Sequence, residues 1–425
     1  MRLVCFIFLL ITNASCIAQQ AVGIKFEKGL NWVEIKQKAR KENKFIFLDA
    51  YTTWCAPCRY MAKYIFPQPQ VGDFFNKHFI NIAVQIDTTK KDNKYVKSWY
   101  NDAKMISNLY KIDAYPTYLF FNQDGILVHI IKGASNSANN FISKAKDAFD
   151  PKTQYLNLKN EYEKGNRDSV FLLSLIKAAK DANDDSLDVF INTYLKTQGN
   201  LLTQQNINFI ARGTRKINDI GFYILLNYPK EVNAVIGKSE RIKILSNIVF
   251  NEQIYPLLSN NAKITYMGGG MIIYKTDSLK KNVNWTDIGN KIAVKYKDIT
   301  KPIVLHAQLE YYEWLNDWGN FNNCLINYTS NGNEIDTDFI DTKAWNFVTF
   351  CDDKKYFKDA IKWASVLVEN ETHPYYFQTF SRLLYKAGEK ESAIKYMQKC
   401  ALLLKAPNKS INETIEKMRK GEKIE

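Results

Sequence analysis

Apolar and polar residues alternate in blocks over the first third of the chain. Residues 45–50 and 79–86 are almost continuously apolar, which is typical of strands buried on both faces of a sheet. Two further apolar runs, 118–121 and 126–131, flank the turn sequence Asn-Gln-Asp-Gly at 122–125 and predict a β-hairpin. This order favours a mixed sheet in which a β-α unit is followed by an antiparallel hairpin.

Helical patterns separate and follow these strands. Asn31 is a capping residue type, and the apolar residues after it recur every three to four positions, as on one face of a helix. A second helix is predicted over residues 58–66, and we expect Pro67 and Pro69 to end it. A third helical pattern covers residues 140–149 and closes this part of the chain.

The strand pattern fades near residue 150, so we place the end of an α/β domain of residues 19–150 there. Amphipathic stretches typical of helices follow it. The clearest of them cover residues 170–182, 187–195, 241–250 and 304–315. The sequence therefore predicts an all-α helical array over residues 151–425.

The last part of this array contains an internal repeat. The sequence Ala-Ile-Lys-Trp at 360–363 returns as Ala-Ile-Lys-Tyr at 393–396, and Pro374 returns as Pro407, each 33 residues later. This spacing resembles that of tetratricopeptide repeats, whose period is about 34 residues. We therefore predict tetratricopeptide-like repeats over 341–425 and a helical region of unknown role over 151–340.

The first 18 residues have the pattern of a secretory signal peptide. Basic Arg2 precedes an apolar run over residues 3–11, and small residues lead to a cut after Ala18. The alternative is a lipoprotein signal cut before Cys16, although Asn13 stands where that signal prefers leucine. We therefore expect an exported protein, periplasmic or secreted. No later segment reaches the roughly 20 apolar residues that an integral membrane span requires.

The candidate chemistry lies in the sequence Trp54-Cys55-Ala56-Pro57-Cys58. It stands where a predicted strand passes into a predicted helix, so both sulfurs fall on the first helical turn. Unpaired N–H groups and the helix dipole stabilise a thiolate there and lower its pKa. We expect Cys55, nearer the helix end and more exposed, to attack a substrate disulfide, and Cys58 to resolve the mixed disulfide.

Other uses of a cysteine pair fit this sequence less well. A zinc site needs further ligands, but the other cysteines of the mature chain and the four histidines are scattered. Covalent haem attachment needs a histidine after Cys58, and Arg59 stands there. A purely structural disulfide stays open, although so short a loop constrains the unfolded chain very little. We therefore predict no metal and no cofactor. Outside the signal and the motif, the cysteines are Cys324, Cys351 and Cys400.

These residues resemble the thioredoxin superfamily over roughly residues 25–148. Asp49, six residues before Cys55, falls where the family has a buried acid, and the resemblance implies that it handles the proton of Cys58. A carboxyl group that ends an apolar run should also have a raised pKa. The alternative is that Asp49 only accepts hydrogen bonds from backbone donors at the end of the strand.

The resemblance also implies a substrate-binding surface. Tyr115 and Pro116 fall at the family's cis-proline loop, where the backbone of Tyr115 would hold an extended substrate segment beside Trp54. Gly133 falls at a family glycine that admits substrate backbone, although it is as readily an ordinary turn glycine.

The chain departs from the family pattern at one position that concerns the buried acid. The usual lysine partner of that acid would fall at Ala83, which puts the proton route through Asp49 in doubt. Met61, three residues after Cys58, gives a Cys-x-x-Cys-x-x-Met pattern that resembles the exported thioredoxin-like branch.

Charge and composition narrow the functions further. Lys and Arg number 58 against 44 acids, a net charge of +14, but the excess is spread along the chain rather than concentrated as nucleic-acid binding requires. We predict a thiol–disulfide oxidoreductase of reductase or isomerase type. Its expected partners are protein disulfides, an exported or membrane-bound thiol reductant, and a protein recruited by the helical array. The alternative is an adaptor in which the array is the functional part.

Overall fold

The computed structural model describes residues 23–266, 272–330, 336–369, 373–404 and 408–424. The predicted signal peptide, Cys16 and Pro407 lie outside these residues. The chain divides into two compact units, the first ending at Leu187 and the second beginning at Asp188. None of the described helices combines the length and apolar content that crossing a membrane needs.

Among its described residues, the first unit contains a four-stranded sheet and eight α-helices. Its strands are β1 (Phe45–Tyr51), β2 (Phe79–Gln85), β3 (Thr117–Phe121) and β4 (Leu127–Lys132). Its helices are α1 (Trp32–Glu42), α2 (Ala56–Tyr60), α3 (Pro69–His78), α4 (Lys94–Ser98), α5 (Tyr100–Leu109), α6 (Ala138–Lys146), α7 (Tyr155–Glu163) and α8 (Ser169–Ala182). The predicted strands and hairpin are confirmed.

The sheet has the order β2-β1-β3-β4. Strands β1 and β2 are parallel, whereas β3 pairs antiparallel with both β1 and β4. Helices cover both faces, because alternate residues of β1 enter two separate apolar clusters. Ile46 and Leu48 pack in the cluster that contains α1, and Phe47 packs in the cluster that contains Met61. The predicted mixed sheet flanked by helices is therefore confirmed.

The helix predicted over 58–66 is built differently from the expectation. Helix α2 is short and continues into a π-helical turn, Met61–Ile65. Pro69 does not only follow this helix: it opens α3, which the sequence pattern did not predict. A proline is well tolerated in the first turn of a helix, because the N–H group it lacks has no partner there anyway.

Two helices beyond residue 150 pack against strand β4. The buried ring of His129 on β4 accepts a hydrogen bond at Nδ1 from the backbone N–H of Tyr155, 3.1 Å away, at the start of α7. The Lys177 ammonium on α8 forms an ion pair of 2.8 Å with the Asp147 carboxylate. The first compact unit therefore extends beyond residue 150, to Leu187.

The second unit is mainly helical, as predicted. Its helices begin with α9 (Leu187–Leu195), α10 (Gln204–Gly213), α11 (Ile220–Asn227), α12 (Pro229–Ile236), α13 (Lys238–Val249), α14 (Tyr255–Leu258), α15 (Trp285–Tyr296) and α16 (Thr300–Trp314). They continue with α17 (Trp318–Ser330), α18 (Thr337–Phe350), α19 (Phe357–Ala364), α20 (Val366–Glu369), α21 (Pro374–Ala387), α22 (Lys390–Leu403) and α23 (Lys409–Lys420).

Two small sheets interrupt these helices. They pair β5 (Ser259–Asn260) with β8 (Ser278–Leu279), and β6 (Lys263–Tyr266) with β7 (Ile272–Lys275), both antiparallel. The sequence pattern does not predict them, because strands of two to four residues leave too short an alternation to recognise.

The repeated alanines occupy equivalent places in helices α19 and α22. Ala360 and Ala393 are both fully buried. Pro374 opens α21, and Gly388 ends it in the left-handed region, with φ of 97°. These features agree with closely packed helix pairs, and the tetratricopeptide type of the repeat stays a prediction.

Candidate active site

The two cysteines of the motif form a disulfide at the start of α2. Their Cα atoms are 5.3 Å apart. Cys55 is the N-cap of the helix, and its Sγ atom accepts a hydrogen bond of 3.0 Å from the backbone N–H of Cys58. Pro57 lies in the first turn, where no intrahelical partner for its nitrogen is lost. The sulfur of Cys55 therefore occupies the place where a helix terminus binds negative charge.

The expectation that Cys55 is the more exposed cysteine is wrong for this oxidised pair. Cys55 is 2% exposed and Cys58 is 7% exposed. The reason is that the sulfur of Cys55 turns back over the first helical turn to accept the N–H group of Cys58. Trp54 is 67% exposed, and its ring stands edge-on to that of Tyr115 with the centroids 5.7 Å apart.

The loop before Cys55 is held by two charged residues that the sequence analysis did not identify. The carboxylate of Asp87, just after β2, accepts hydrogen bonds from the backbone N–H of Thr53, at 2.9 Å, and from its hydroxyl. The guanidinium of Arg59 donates to the carbonyl oxygen of Thr53 at 3.0 Å. These bonds fix the path of the chain into the motif. A local sequence pattern does not predict them, because Asp87 is 34 residues from Thr53.

Asp49 lies buried on β1, beneath the helix that carries the cysteines. Successive strand residues point to opposite faces, so Asp49 shares a face with Phe47, which packs in one cluster with Met61 of the π-helical turn. Burial raises the pKa of the Asp49 carboxyl to about 7. Its Oδ1 atom has no hydrogen-bond partner among the described residues. This argues against the alternative in which Asp49 only satisfies backbone donors.

The neighbours of Asp49 across the sheet are Ala83 on β2 and Tyr118 on β3. Ala83 provides no ammonium group, so the family's lysine is absent from this place. Tyr118 is fully buried, and its hydroxyl also lacks a partner among the described residues. The same holds for the hydroxyl of Thr52, three residues before Cys55. Unpaired buried polar groups are rare in folded proteins and often mark a catalytic role or a bound water.

The predicted proline loop and the predicted glycine meet in the structure. The peptide bond between Tyr115 and Pro116 is cis, as the resemblance implied. The carbonyl oxygen of Pro116 accepts a hydrogen bond of 2.8 Å from the backbone N–H of Gly133. Gly133 has φ of +89°, and a Cβ atom built on it would have no neighbour within 4 Å. The turn itself therefore requires glycine, and the space beside it is open.

Met61, in the π-helical turn that continues α2, contacts the loop after Gly133. Its Sδ atom accepts a hydrogen bond of 3.3 Å from the backbone N–H of Ser135, which follows the turn at Gly133. Both residues are buried. A thioether is a weak acceptor but packs adaptably, so this contact sets the loop against the helix without a rigid polar bond.

The remaining described cysteines lie in the helical unit and are buried. Burial raises the pKa of Cys324 to about 12 and that of Cys400 to about 11, and it also raises the pKa of Cys351. Such thiols are poor nucleophiles near neutral pH. Within the described ranges, no group of three or more His, Cys, Asp or Glu side chains is arranged to hold a metal ion.

Comparison with known proteins agrees with this geometry. The model of a thioredoxin-like domain family matches residues 33–149. Thioredoxin H3 of Arabidopsis thaliana is 25% identical over 105 residues, which are 25% of this chain and 73% of that protein. Residues 33–149 therefore belong to the thioredoxin superfamily.

Two further relatives of the thioredoxin-like domain are named for disulfide chemistry. The thiol:disulfide interchange protein DsbD of Haemophilus ducreyi is 33% identical over 104 residues, which are 24% of this chain and 16% of that protein. A putative disulphide-isomerase from Bacteroides thetaiotaomicron, solved in solution, is 32% identical and is covered to 95%, for 30% of this chain, with a TM-score of 0.25. The matched part of this chain is thus about a sixth of the length of DsbD.

The thioredoxin-like domain brings the predicted site residues onto adjoining elements. Cys55, Cys58 and Trp54 lie at the start of α2, and Asp49 lies under that helix. Tyr115, Pro116 and Gly133 lie in two loops that are joined by a hydrogen bond. The arrangement combines a cysteine pair at a helix terminus, a buried carboxyl group and an open, partly aromatic surface.

Proposed function

We propose that this chain is an exported thiol–disulfide oxidoreductase that acts on protein disulfides through Cys55 and Cys58. The observation that carries the proposal is the N-cap position of Cys55, whose sulfur accepts the N–H of Cys58. A thiolate at that place gains both this hydrogen bond and the favourable end of the helix dipole. The relatives named for disulfide interchange and isomerisation support the same chemistry.

In the first step, the reduced Cys55 thiolate attacks one sulfur of a substrate disulfide. A bond forms between Cys55 and that sulfur, the substrate S–S bond breaks, and the second substrate sulfur leaves as a thiolate. In the second step, Cys58 attacks the sulfur of Cys55 and the captured substrate sulfur leaves. The substrate has gained two electrons, and the pair has become the disulfide of the structure.

The second step requires Cys58 to lose its proton, and we assign that proton to Asp49. A carboxyl group whose pKa is about 7 is half ionised near neutral pH and accepts a proton without much free-energy cost. Its ionised form is buried without a partner on Oδ1, which makes it a stronger base than an exposed aspartate. Tyr118 takes the place opposite Asp49 on the neighbouring strand.

The surface beside the cysteines binds the substrate chain in this proposal. Trp54 provides an exposed apolar face, and Tyr115 supports it from the proline loop. The backbone of Tyr115, next to Pro116, holds an extended segment by strand-like hydrogen bonds. The open space at Gly133 leaves room for that segment.

The direction of the reaction and the partners belong to the same proposal. A buried, partly protonated Asp49 suits the resolving step of a reductase or isomerase. A reductase needs a thiol reductant to regenerate the pair after each cycle, and an isomerase needs one to keep the pair reduced. An exported protein would take this reductant from another exported or membrane-bound protein. We assign partner recruitment to the helical unit, and export to residues 1–18.

The decisive test is reduction of insulin by dithiothreitol, with wild-type protein and three variants. Cys55→Ser should abolish turnover, because no attacking thiolate is left. Pre-reduced Cys58→Ala, mixed with oxidised substrate after dithiothreitol is removed, should accumulate a mixed disulfide between Cys55 and the substrate, visible on a non-reducing gel and identifiable by mass spectrometry. Cys324→Ser, at a buried thiol of raised pKa, is the control and should keep wild-type turnover. Absence of turnover in the wild-type protein would refute the proposal.

The same variants separate the adaptor alternative. If the helical unit is the functional part, capture of its partner should survive Cys55→Ser unchanged. If the oxidoreductase proposal is correct, the partners captured by Cys58→Ala should carry a cysteine bound to Cys55. A thiol-independent partner together with an inactive wild-type enzyme would favour the adaptor.

A further inference from the structure

The helical unit contains a cavity of about 310 Å³ between helices α13 and α16. It lies wholly among described residues of that unit. Helix α13 lines it with Ser239, Ile242, Lys243 and Ser246, which recur at the spacing of one helix face. Leu305, on α16, is part of the opposite wall. The volume is at the lower end of the range for small-molecule sites.

The inner part of the cavity is mainly apolar, but it also includes a buried hydroxyl group without a hydrogen-bond partner in the described part of the chain. Leu305, Leu309 and Phe339 form apolar walls. Ser246 lines the cavity and is 3% exposed, and its hydroxyl has no hydrogen-bond partner among the described residues. An unpartnered buried hydroxyl usually faces a ligand or a bound water.

His306 is a second polar group on the wall. Burial is the main reason that its pKa is lowered to about 4, so the ring is neutral at pH 7. A neutral imidazole offers one donor and one acceptor rather than a charge. Together with the Ser246 hydroxyl, it adds hydrogen-bonding groups beside the apolar walls, in a lining that also contains Asn327 and Tyr328.

The mouth of the cavity is positively charged. Lys238 opens helix α13 there, and Lys301 lies on α16; both are exposed and line the cavity. No side chain caps the N-terminus of α13. Among the acids of the lining, Asp336 is paired with Lys243 at 2.9 Å, which leaves Asp298 to oppose the two lysines. The mouth therefore combines a helix dipole end with one net positive charge.

The geometry points to a binding site for a small amphipathic anion, whose charged head lies at Lys238 and Lys301 and whose apolar body extends inward to Leu309 and Ser246. The helix terminus and the lysines attract the head, the apolar walls take the chain, and the Ser246 hydroxyl binds a polar atom at the inner end. This site is separate from the cysteine pair and does not depend on the proposed redox activity.

The test is calorimetric titration of the full chain with octanoate, octanamide and octylammonium, which share a chain and differ in the head group. We expect saturable binding of one octanoate, at least tenfold weaker binding of octanamide, and none of octylammonium. Equal binding of octanoate and octanamide, or no heat with millimolar octanoate, would overturn the proposal. Acetate should not bind, because a site that accepts it would recognise the head alone.

Variants make the test specific to this cavity. Lys301→Glu should weaken octanoate binding at least tenfold, whereas Asp298→Asn should tighten it a few-fold. Lys295→Glu, at an exposed lysine of α15 outside the lining, is the matched control and should leave binding unchanged. Ser246→Ala should weaken binding without lowering the midpoint of thermal unfolding. Wild-type binding by both Lys301→Glu and Ser246→Ala would contradict the assigned site.

Discussion

Each compact unit buries an ionisable side chain. The two side chains differ in whether the fold provides partners for them. In the helical unit, Lys343 is 4% exposed, and its ammonium forms ion pairs with Glu310, at 2.7 Å, and with Glu313. In the thioredoxin-like domain, Asp49 is 6% exposed, and its Oδ1 atom has no partner. One buried group is fully paired, and the other is left partly unpaired.

The difference separates a group suited to a structural role from one suited to proton transfer. The carboxylates around Lys343 outweigh the effect of burial and raise its pKa, so it stays charged at every ordinary pH. Around Asp49 burial acts alone, so the carboxyl group changes its charge near pH 7. A buried group that exchanges protons near neutral pH is suited to acid–base catalysis, whereas a permanently paired one is suited to fixing the packing.

The largest effect should follow from breaking the paired site. Lys343→Met leaves two carboxylates without their cation and should lower the free energy of unfolding by about 3–5 kcal/mol. Urea denaturation of the full chain measures it. Lys362→Met, at an exposed pair with Asp359, is the control and should cost at most about 1 kcal/mol. A similarly small loss for Lys343→Met would show that the buried pair is not structural.

The contribution of Asp49 to the free energy of unfolding should change with pH in the opposite direction to that of most carboxylates. The ordinary pKa of an aspartate is 3.8, whereas that of Asp49 in the folded protein is about 7, so the folded state keeps a proton that the unfolded chain has released. Stability from this group is therefore present at low pH and is lost as pH rises from about 4 to 7, by roughly 4 kcal/mol at most.

Asp49→Asn should remove this loss. The stability difference between Asp49→Asn and wild type should grow in favour of the variant from pH 5 to pH 8, as measured by urea denaturation of the oxidised proteins. A difference that does not change with pH would show that Asp49 titrates alike in the folded and unfolded states.

The same substitution should slow catalysis. Without the carboxylate, Cys58 loses its proton acceptor, and the resolving step should fall about 100-fold at pH 7, which is about 2.7 kcal/mol of barrier. Wild-type resolution should rise with pH around a midpoint near 7, where Asp49 ionises, and the variant should lack that midpoint. Stopped-flow decay of a mixed disulfide measures both. Asp73→Asn, at an exposed carboxyl of α3, should keep the wild-type profile.

The smallest change in the free energy of unfolding is expected at two buried tyrosines. The hydroxyl of Tyr118 has no partner among the described residues, whereas that of Tyr255 in the helical unit donates to the carbonyl of Lys275 at 2.9 Å. Tyr118→Phe should raise the free energy of unfolding by about 1 kcal/mol, and Tyr255→Phe should lower it by about the same amount. Thermal unfolding of both variants measures whether each substitution stabilises or destabilises the protein. A loss of stability in Tyr118→Phe would mean that the hydroxyl of Tyr118 forms a hydrogen bond after all.

The sequence predicts the cysteine pair and its setting because these depend on local patterns. The apolar run of β1 and the motif lie within a few residues of each other, and Tyr115-Pro116 is a short local sequence of its own. The relation of Asp49 to Tyr118 and Ala83 depends instead on the register of three strands, which no single stretch of sequence contains. The pattern also cannot show that Cys55 is buried in the disulfide, because this depends on where its sulfur turns.

Contacts between distant residues explain what else was missed. Asp87 binds Thr53 across 34 residues, and Ser135 donates to Met61 across 74. The cavity of the helical unit is likewise lined by residues of α13, α16, α17 and α18, each of which looks in sequence like an ordinary helix. Periodicity shows that a helix has a buried face, but it does not show where two such faces leave a space.

The packing of α7 and α8 on β4 bears on how this redox module could be moved between proteins. A fragment cut at residue 150 would retain all the groups of the disulfide chemistry but would strip the covering from an outermost strand and leave His129 without its hydrogen bond to Tyr155. Bare strand edges invite aggregation. The transferable piece is therefore longer than residues 19–150, and it should extend to Leu187, where the first compact unit ends.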